Sequence, residues 1–544
     1  MKDPAPQNAP FNETSAAAPS NAAAPSNAAA PAHAAAPSGS AAAGASSPLK
    51  KQAFNPFLPL DEYIPDGEPH VFGGRVYLFG SHDREGGTEY CQMGDYVGWS
   101  APVDDLASWR YEGVIYSADR QPGGKGKCLY APDVVRGNDG KYYLYYCLGD
   151  FEGGIFVAVA DSPCGNYRFL GEVRLPDGSP LRRFVPADPA VLNDNGVIRL
   201  YYGWSLSTNA AKANRGHDVP PEQFREMLLM GETRLFHRTC EEVEGEEGGS
   251  LMGAVACTLK EDMLTVDELP RRILPGQFMA EGTSFEGHAF YEASSIRKVG
   301  DLYYFIYSSQ LSHELCYATS RYPDRGFTFR GTIVSNGDVG LSGRREEDRL
   351  NQTANNHGSI ECINGRWYIF YHRQTHRSTF SRQACAEPVQ LLADGCIPQV
   401  EMTSCGLNGG PLLPEGVFPA PVCCNLTNGH MPHITNRAIE EDIPFITHAN
   451  DERYLTNLAD GTLIAYKYFA FEGSYRLSLW VRGTGEGKFE VKIGEETAAR
   501  IPVAPSVAWQ QVEADLTAHG TSALRFLYHG AGRAEFLQFA LHKN

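Results

Sequence analysis

The sequence predicts an all-β protein, a five-bladed β-propeller followed by a β-sandwich domain. The chain of 544 residues contains 27 Tyr, 27 Phe and 56 Gly, a composition typical of many short strands joined by tight turns. A hairpin pattern recurs five times along the larger part of the chain, and the C-terminal region has a different pattern of alternating strands. The length exceeds what one hydrophobic core can serve, so we expect at least two folded domains.

The five hairpins share one design, in which a turn containing Gly, Asp or Asn separates two runs of aromatic and aliphatic residues. Such turns supply the positive φ angles that short hairpin loops need. The five segments begin at Val71, Val135, Val191, Ile296 and Ile360. Their spacing is roughly sixty residues, with a longer interval between the third and the fourth. Radial repetition accommodates five such units, because a propeller buries both faces of every sheet and leaves only short edges.

Changes in composition divide the chain into three parts. Residues 1–52 are mostly Ala, Pro, Ser and Asn, which bury no core, and we predict a disordered leader there. Residues 53–430 contain the hairpins and are assigned to the propeller, and residues 436–544 are assigned to the β-sandwich. The long interval, 205–279, contains an acidic run near Glu241 and is interpreted as a solvated insertion.

Charge and cysteine content exclude several classes of protein. A net charge of −18 would repel phosphate backbones, so nucleic acid is not an expected partner. The chain lacks a run of about 20 apolar residues, which a membrane helix needs, and its start, MKDPAPQNAP, lacks signal-peptide features. Its 13 irregularly spaced cysteines indicate reduced thiols. We therefore expect a cytoplasmic protein without a membrane partner; the oligomeric state is not indicated.

One ionisable residue lies shortly before or at the start of each hairpin. These residues are Asp66, Asp133, Asp188, Glu292 and His357. Equivalent positions in the blades of a propeller are related by rotation, so we expect four carboxyl groups and a histidine to meet at one mouth of the channel. Crowded carboxyl groups have diverging pKa values, which is what an acid/base pair requires.

A structural role could explain the aspartates one by one, because Asp before Pro or Gly is a common turn former. Glu292 has no such role, since it stands between Tyr291 and Ala293 ahead of an apolar strand. The fivefold recurrence also favours a functional interpretation. His357 has two readings, as a functional group or as a satisfied polar residue in the channel.

Three acidic motifs resemble those of glycoside hydrolase family 43. They are Asp66 followed by EPHVF and GSHD, the APD around Asp133, and the YEASSI around Glu292. The resemblance covers about residues 55–420. It implies a five-bladed propeller that hydrolyses glycosides with inversion, with Asp66 as general base, Glu292 as general acid and Asp133 as the group that modulates the pKa of the acid and orients it. Inversion requires the acid and the base to lie about 6.5–9.5 Å apart.

The chain departs from the family pattern at two places. Gly67 follows Asp66 where many members have Pro, and Ala293 and Ser294 follow Glu292 where many have Gly-Pro. Both carboxyl groups are retained.

The resemblance also bears on cofactors and substrate contacts. It places His357 where family members often have a histidine at the bottom of the channel, in some beside a calcium ion; we expect no required cofactor and treat His357 as a candidate calcium contact. Calcium prefers oxygen ligands. Candidate substrate-binding residues are His70, Trp99, Asp188 and Arg373, with Trp204 considered as well. Core packing is the preferred reading for both Trp residues, and Arg373 is preferred over them.

The C-terminal region, with NLADGTLIAYKYFAFEG at Asn457, is similar to family 6 carbohydrate-binding modules. Those modules bind sugars through exposed aromatic residues on loops. Trp480 lies inside an alternating strand, which indicates burial. A stabilising domain docked on the propeller is the alternative.

The functional expectation is an exo-glycosidase that releases terminal α-L-arabinofuranosyl or β-D-xylosyl residues from plant-derived oligosaccharides. Two alternatives stay open. Another furanosidase, such as a β-D-galactofuranosidase, is one, because pocket shape decides between similar sugars. A non-catalytic sugar-binding propeller is the other, although a binder has no need for an acid and a base facing each other.

Overall fold

The computed structural model describes most of the chain after residue 50. The described residues are 51–149, 154–182, 184–236, 239–245, 252–437 and 439–544. Nearly all of the predicted leader, and residues 246–250 of the acidic run, lie outside them. Residues 51–544 form one compact unit.

Five antiparallel sheets follow one another along the chain, and in each sheet the strands are hydrogen-bonded in chain order. The first contains β1 (Glu68–Phe72), β2 (Arg75–Phe79), β3 (Asp95–Pro102) and β4 (Arg110–Ser117). The second contains β5 (Leu129–Arg136), β6 (Tyr142–Leu148), β7 (Phe156–Ala160) and β8 (Arg168–Glu172). The third contains β9 (Ala190–Asp194), β10 (Val197–Trp204), β11 (Gly253–Leu259) and β12 (Arg271–Pro275).

The fourth and fifth sheets complete the ring. The fourth contains β13 (Phe290–Val299), β14 (Leu302–Ser309), β15 (Glu314–Ser320) and β16 (Thr328–Ser335). The fifth has three strands within the described residues, β17 (Ile360–Ile363), β18 (Arg366–Gln374) and β19 (Arg382–Val389). Strand β1 contacts both β5 and β17, and Gly67 pairs with Gly358 between the first and fifth sheets. The predicted five-bladed propeller and its five hairpins are therefore confirmed.

The long interval after the third hairpin contains helices and also two strands of the third blade. The helices are α1 (Thr208–Arg215), α2 (Pro221–Phe236) and α3 (Cys240–Gly245), and Glu241 is exposed in α3. Helix α1 begins after Ser207, whose side chain accepts a hydrogen bond from Ala210 N, and ends at Gly216 in the left-handed region. The prediction of a solvated insertion is wrong for β11, which is buried throughout. Because the helices separate β10 from β11, no hairpin turn marked these strands.

The C-terminal region folds into a nine-stranded antiparallel sheet that resembles a sandwich. Its strands are β20 (Gly416–Pro419), β21 (Asn425–Thr427), β22 (Phe445–Ala449), β23 (Glu452–Leu458), β24 (Leu463–Gly483), β25 (Glu486–Ile493), β26 (Glu496–Val503), β27 (Ser506–Ala531) and β28 (Ala534–Lys543). One apolar core, which includes Phe469, Phe526 and Phe539, lies beneath it. Trp480 is only partly buried. Strands β20 and β21 pair with β28 and β24, so this sheet begins before the predicted boundary at residue 436.

Short 3-10 helices lie in the connecting loops, at Ala118–Arg120, Gln277–Met279, Leu341–Gly343, Glu346–Asp348, Gly406–Asn408 and Ala420–Val422. In the part of the chain that the structure describes, no helix is both long and apolar enough to cross a bilayer. All thirteen cysteines fall within the described residues, and none forms a disulfide.

Arg373 joins the fifth blade to the C-terminal sheet. Its buried guanidinium donates hydrogen bonds to the carbonyl oxygens of Pro421 (2.5 Å) and Cys423 (2.6 Å) and to the Gln383 side chain. The prediction that Arg373 binds substrate is therefore wrong. All three of its acceptors belong to the protein, so the guanidinium is committed to holding the two domains together.

We expect Arg373→Met to lower the free energy of unfolding by roughly 3 kcal/mol, because it leaves buried carbonyl groups without a donor. Denaturant unfolding followed by tryptophan fluorescence measures this loss. Arg500→Met, on an exposed arginine of β26, is the matched control and should change stability by less than about 0.5 kcal/mol. Equal stability of the two variants would contradict the interpretation of Arg373.

Candidate active site

A cavity of about 200 Å³ opens at the end of the propeller where the inner strands begin. Four of the five predicted ionisable residues line it, Asp66, Asp188, Glu292 and His357. The other lining residues are Tyr90, Cys91, Tyr130, Ala131, Ala187, Trp204, Tyr291, Asn355, Arg382, Thr435 and Asn436. Three carboxyl groups, an arginine and a histidine thus share one small enclosure that also has aromatic walls.

Asp66 lies two residues before the start of β1 and has a left-handed backbone conformation, with φ of 58°. Gly67 follows it, and a Cβ atom at that position would come within 2.9 Å of Leu78, so glycine permits the close approach to the first blade. The Asp66 carboxylate accepts a hydrogen bond from Arg382 Nη1 at 3.0 Å. Burial alone would raise the pKa of Asp66, but Arg382, His357 and His372 outweigh burial and hold it below its usual value. Asp66 is therefore an ionised carboxylate at neutral pH.

Arg382 is the first residue of β19, and its side chain is almost fully buried. Its guanidinium binds Asp83 through two hydrogen bonds, Nε to Oδ2 at 2.8 Å and Nη2 to Oδ1 at 2.9 Å, while Nη1 reaches Asp66. Sequence reasoning missed this residue. The available signals were the position of Asp83 within the GSHD segment and an arginine close to the alternating strand that follows the fifth hairpin.

Glu292 lies in β13, where the pairing with β14 shifts register on both sides of it. Such irregularities turn a side chain away from the regular direction of the strand, and Ala293 has a φ of 69°. Burial first, and then the nearby Asp188 carboxylate, raise the pKa of Glu292 to about 8. Glu292 therefore keeps its proton at neutral pH, in contrast to Asp66.

Asp188 is fixed beside Glu292 through the backbone. Its Oδ2 accepts a hydrogen bond from Ala293 N at 2.9 Å, and its own φ is 47°. Burial raises the pKa of Asp188, and the nearby His357 partly offsets this effect. This hydrogen bond to the residue after Glu292 keeps the Asp188 carboxylate close to the Glu292 carboxyl group, where its negative charge favours the protonated form of Glu292.

Asp133 does not line the cavity, contrary to the prediction. Its fully buried carboxylate accepts hydrogen bonds from Val134 N and Val191 N, both at 2.7 Å, and lies 2.6 Å from His70 Nε2. It is also absent from the principal causes of the raised Glu292 pKa. The physical reason is its position in the middle of β5, whereas Asp66 and Asp188 come before their inner strands. The geometry therefore transfers the predicted role of pKa modulator from Asp133 to Asp188.

Of the predicted substrate contacts with rings, His70 and Trp99 lie outside the cavity lining, whereas Trp204 belongs to it. His70 binds Asp133 and stacks on Phe72, outside the cavity lining. Trp99 is buried in an apolar cluster and donates a hydrogen bond to Glu62 at 3.0 Å. Trp204, at the end of β10, does line the cavity, 6.2 Å from the Tyr291 ring. The packing interpretation is thus right for Trp99 and wrong for Trp204.

His357 lies between two of the cavity carboxylates. Its Nδ1 is 3.9 Å from both Asp66 Oδ1 and Asp188 Oδ2. Among the described residues, His357 belongs to none of the groups of three or more side chains whose ligand atoms could converge on a metal. One imidazole is a poor site for calcium, which prefers several oxygen ligands. The surroundings of His357 therefore do not fit it as a calcium ligand, while calcium elsewhere in the channel stays a prediction.

Part of the cavity wall comes from the segment 428–437, which lies between β21 and β22. This segment runs beside Thr353, which exchanges hydrogen bonds with Pro432 O and Ile434 N, both at 3.0 Å. It brings Thr435 and Asn436 into the cavity lining. Sequence reasoning missed both residues, because nothing local marks a connecting segment that packs back onto a distant blade.

Comparison with known proteins agrees with this geometry. The model of glycosyl hydrolases family 43 matches residues 67–219 and 239–397. A protein of Thermoclostridium stercorarium called xylosidase/arabinosidase is 44% identical over 511 residues, which cover 91% of this chain and 99% of the relative. These matches define an enzyme that hydrolyses glycosidic bonds. The chain belongs to glycosyl hydrolases family 43.

Two further similarities have narrower coverage or lower identity. A xylosidase/arabinosidase of Bacteroides ovatus is 30% identical, and the match covers 63% of this chain and 97% of that protein. The solved structure of CoXyl43, a GH43 beta-xylosidase/alpha-arabinofuranosidase from a compost microbial metagenome, in complex with xylotriose and in a calcium-free form, is 28% identical, covering 62% of this chain and 94% of that one, with a TM-score of 0.45.

Replacing Asp188 tests the transfer of the modulator role. Because the Asp188 charge raises the pKa of Glu292, Asp188→Asn should lower that pKa and move the alkaline limb of the pH dependence of kcat/KM to lower pH, by about one unit. The measurement is kcat/KM for an aryl glycoside between pH 4 and 10. Asp133→Asn is the control and should leave the alkaline limb in place. A shift in Asp133→Asn without one in Asp188→Asn would restore the original assignment.

Proposed function

We propose that the protein is an inverting exo-glycosidase that releases terminal α-L-arabinofuranosyl or β-D-xylosyl residues from plant-derived oligosaccharides. One observation carries the proposal: the carboxyl groups of Glu292 and Asp66 line the same small cavity. Burial and Asp188 raise the pKa of Glu292, whereas Arg382 and two histidines hold the pKa of Asp66 below its usual value. The choice of sugars is supported by the Thermoclostridium stercorarium relative, which matches over almost its full length.

In the proposed reaction, Glu292 is the general acid and Asp66 the general base. Glu292 donates its proton to the glycosidic oxygen as the bond to the anomeric carbon breaks. Asp66 accepts a proton from the water that attacks this carbon from the opposite face. The products are the free sugar of inverted configuration and the shortened oligosaccharide. Glu292 ends ionised and Asp66 protonated, and exchange with solvent restores both.

Asp188 has a supporting role in this proposal. Burial and, after it, the Asp188 charge raise the Glu292 pKa to about 8, so the acid is protonated over the neutral range. Arg382 acts in the opposite direction on Asp66, since its guanidinium favours the ionised carboxylate. The two environments thus separate the pKa values of an acid and a base within one cavity.

Exo action is supported by the size of the cavity. A volume of about 200 Å³ is smaller than the roughly 300–1,000 Å³ of sites for drug-sized ligands, and it suits a single sugar ring. Trp204 supplies an aromatic wall, and Thr435 and Asn436 supply polar groups that can bind hydroxyls. Only a chain end would fit such a pocket.

We propose that the reaction needs no cofactor, because both proton transfers are assigned to carboxyl groups of the chain. The family 6-like carbohydrate-binding role of residues 436–544 stays a prediction, which affinity electrophoresis in arabinoxylan would test. The Asp66→Asn variant would be used so that the polysaccharide is not hydrolysed. If arabinoxylan slows this variant in the gel and the free monosaccharide, which would compete at the active site, does not abolish the effect, the result would support binding by the module.

We also propose that the enzyme works in the cytoplasm. Thirteen cysteines without a disulfide suit a reducing compartment, and eleven of them are partly or fully buried and do not line the cavity. Cell fractionation of the native source with an antibody tests this. Recovery of the protein in the culture medium of intact cells would contradict it.

Substrates with different leaving groups test the roles of Glu292 and Asp66. We expect Glu292→Gln to lower kcat/KM for xylo- or arabino-oligosaccharides by about 10²–10⁴-fold, but much less for p-nitrophenyl glycosides, whose leaving group needs little protonation. Asp66→Asn should lower both to a similar extent. The panel comprises p-nitrophenyl α-L-arabinofuranoside, β-D-xylopyranoside and β-D-galactofuranoside with the matching oligosaccharides.

Glu286→Gln, on an exposed carboxylate six residues earlier, is the control and should behave as the wild type. Proton NMR of the first-formed sugar should show the inverted anomer. If the enzyme hydrolysed only the β-D-galactofuranoside of the panel, the proposed specificity for arabinofuranosyl or xylosyl residues would be wrong. If Glu292→Gln lowered kcat/KM for oligosaccharides and for p-nitrophenyl glycosides by the same factor, Glu292 would not be the general acid.

A further inference from the structure

The base of the cavity depends on two loops that lie next to the C-terminal sheet. The first loop, 81–87, follows β2 and carries Asp83 and Glu85. The second, 375–381, joins β18 to β19 and ends at Arg382. Arg382 donates a hydrogen bond to Asp66, and Asp83 orients Arg382, so the placement of the base depends on these loops.

Strands β22 and β23 of the C-terminal sheet contact both loops. Arg453 of β23 donates two hydrogen bonds to Glu85, Nε to Oε1 at 3.1 Å and Nη2 to Oε2 at 2.8 Å. His448 Nδ1 of β22 lies 2.9 Å from His376 Nε2, and His376 N donates to Ile446 O at 2.8 Å. Loop 375–381 is therefore held by β22, and loop 81–87 by β23 and, through His448 Nδ1 at 3.5 Å from Glu85 Oε1, also by β22. None of these contacting side chains lines the cavity.

The two loops are also joined to each other beside Arg382. Ser381 Oγ accepts a hydrogen bond from Gly86 N at 3.0 Å and lies 3.3 Å from His376 Nδ1. His376 has a left-handed backbone, with φ of 58°, which directs its ring toward the C-terminal sheet. Burial lowers the pKa of His376 to about 4, so its ring is neutral and can bond His448 without charge repulsion. The contacts thus run from β22 and β23 to the residue next to Arg382.

We propose that the C-terminal sandwich is a positioning domain for the base: Arg453 and His448 fix the two loops and, through them, hold Arg382, which Asp83 orients, against Asp66. This inference rests on the proposed role of Asp66 and gives the domain a function that requires no sugar binding. Preorganisation explains its value, since a misplacement of about 1 Å at an active site can cost about 100-fold in rate.

The electrostatic consequence follows from the groups that face Asp66. Arg382, His357 and His372 favour its ionised form, while Asp83, Asp188 and Glu292 are the neighbouring acids. The thiols of Cys91 and Cys147 also face it, and burial keeps them neutral by raising their pKa values. Since burial is the largest influence on Asp66, a loosened Arg382 lets the pKa of Asp66 rise. The base is then protonated at a higher pH than in the wild type.

Arg453→Met is the principal test. We expect kcat for the best aryl glycoside to fall at least tenfold, KM to change less than threefold, and the acidic limb of the kcat/KM profile to move to higher pH. Arg476→Met, on an exposed arginine of β24, is the matched control and should leave all three unchanged. Arg453→Lys, which retains a cation for Glu85, should recover part of the activity. A loss of thermal stability in Arg453→Met without a shift of the acidic limb would overturn the proposal and leave only a structural role.

A second measurement does not depend on hydrolysis. In Arg453→Met, hydrogen exchange followed by mass spectrometry should show at least tenfold faster exchange at the amides of Asp83, Gly86 and Arg382, which donate to Tyr63 O, Ser381 Oγ and Asp83 Oδ2. Unchanged exchange in both loops would overturn the proposal. A wild-type enzyme inactive on every glycoside would refute the proposed function alone, because the exchange experiment still decides whether the domain positions the loops.

His448→Phe provides a second variant if Arg453→Met does not fold. His448 is about one-third exposed, so the substitution is tolerable at that site, and it removes the contact of the imidazole to His376 and its longer contact, at 3.5 Å, to Glu85 Oε1. We expect faster exchange in residues 375–382 and a smaller shift of the acidic limb than in Arg453→Met. The same exchange rates and pH profile as in the wild type would count against the proposal.

Discussion

The hydrogen bonds from Arg382 to Asp83 and Asp66 are the interaction on which the site depends. Isolated in the interior, a carboxylate as buried as Asp66 would be protonated at neutral pH and could not act as a base. Arg382 reverses this outcome, and Asp83 in turn fixes the orientation of Arg382. Arg382 is the first residue of β19 in the fifth blade, and Asp83 follows β2 in the first blade. The first and fifth blades must therefore pack together, closing the ring, before Arg382 can hold Asp66 ionised.

Burial has the opposite outcome for Glu292, whose pKa it raises. Among the described residues no arginine donates a hydrogen bond to it, and the Asp188 carboxylate adds to the effect of burial, so the pKa rises to about 8. The difference between the two carboxyl groups therefore comes from their neighbours, a cation for Asp66 and an anion for Glu292. The third and fourth blades supply Asp188 and Glu292, joined by the hydrogen bond from Ala293 N. The first and fifth blades thus provide the base with its arginine, and the third and fourth blades provide the acid with its neighbouring aspartate.

Local patterns in the sequence predicted the parts of the fold that depend on neighbours in the chain. The five hairpins could be read directly, because their turns and alternating strands are local. Strands β11 and β12 were missed, since helices separate them from β10. Asp133 was misassigned because the motif around it does not show how deep in β5 it lies, and Arg373 because its acceptors, Pro421 and Cys423, are remote in sequence. Contacts between distant segments decided each of these outcomes.

Direct observation of the two carboxyl groups tests the central claim. Carbon-13 NMR of protein labelled at the side-chain carboxyls of Asp and Glu, compared with spectra of Asp66→Asn and Glu292→Gln, would give both titrations without any substrate. The account predicts that Glu292 titrates near pH 8 and that Asp66 stays ionised below its usual pKa. Titration of Glu292 near pH 4, or of Asp66 above it, would contradict the assignment of acid and base.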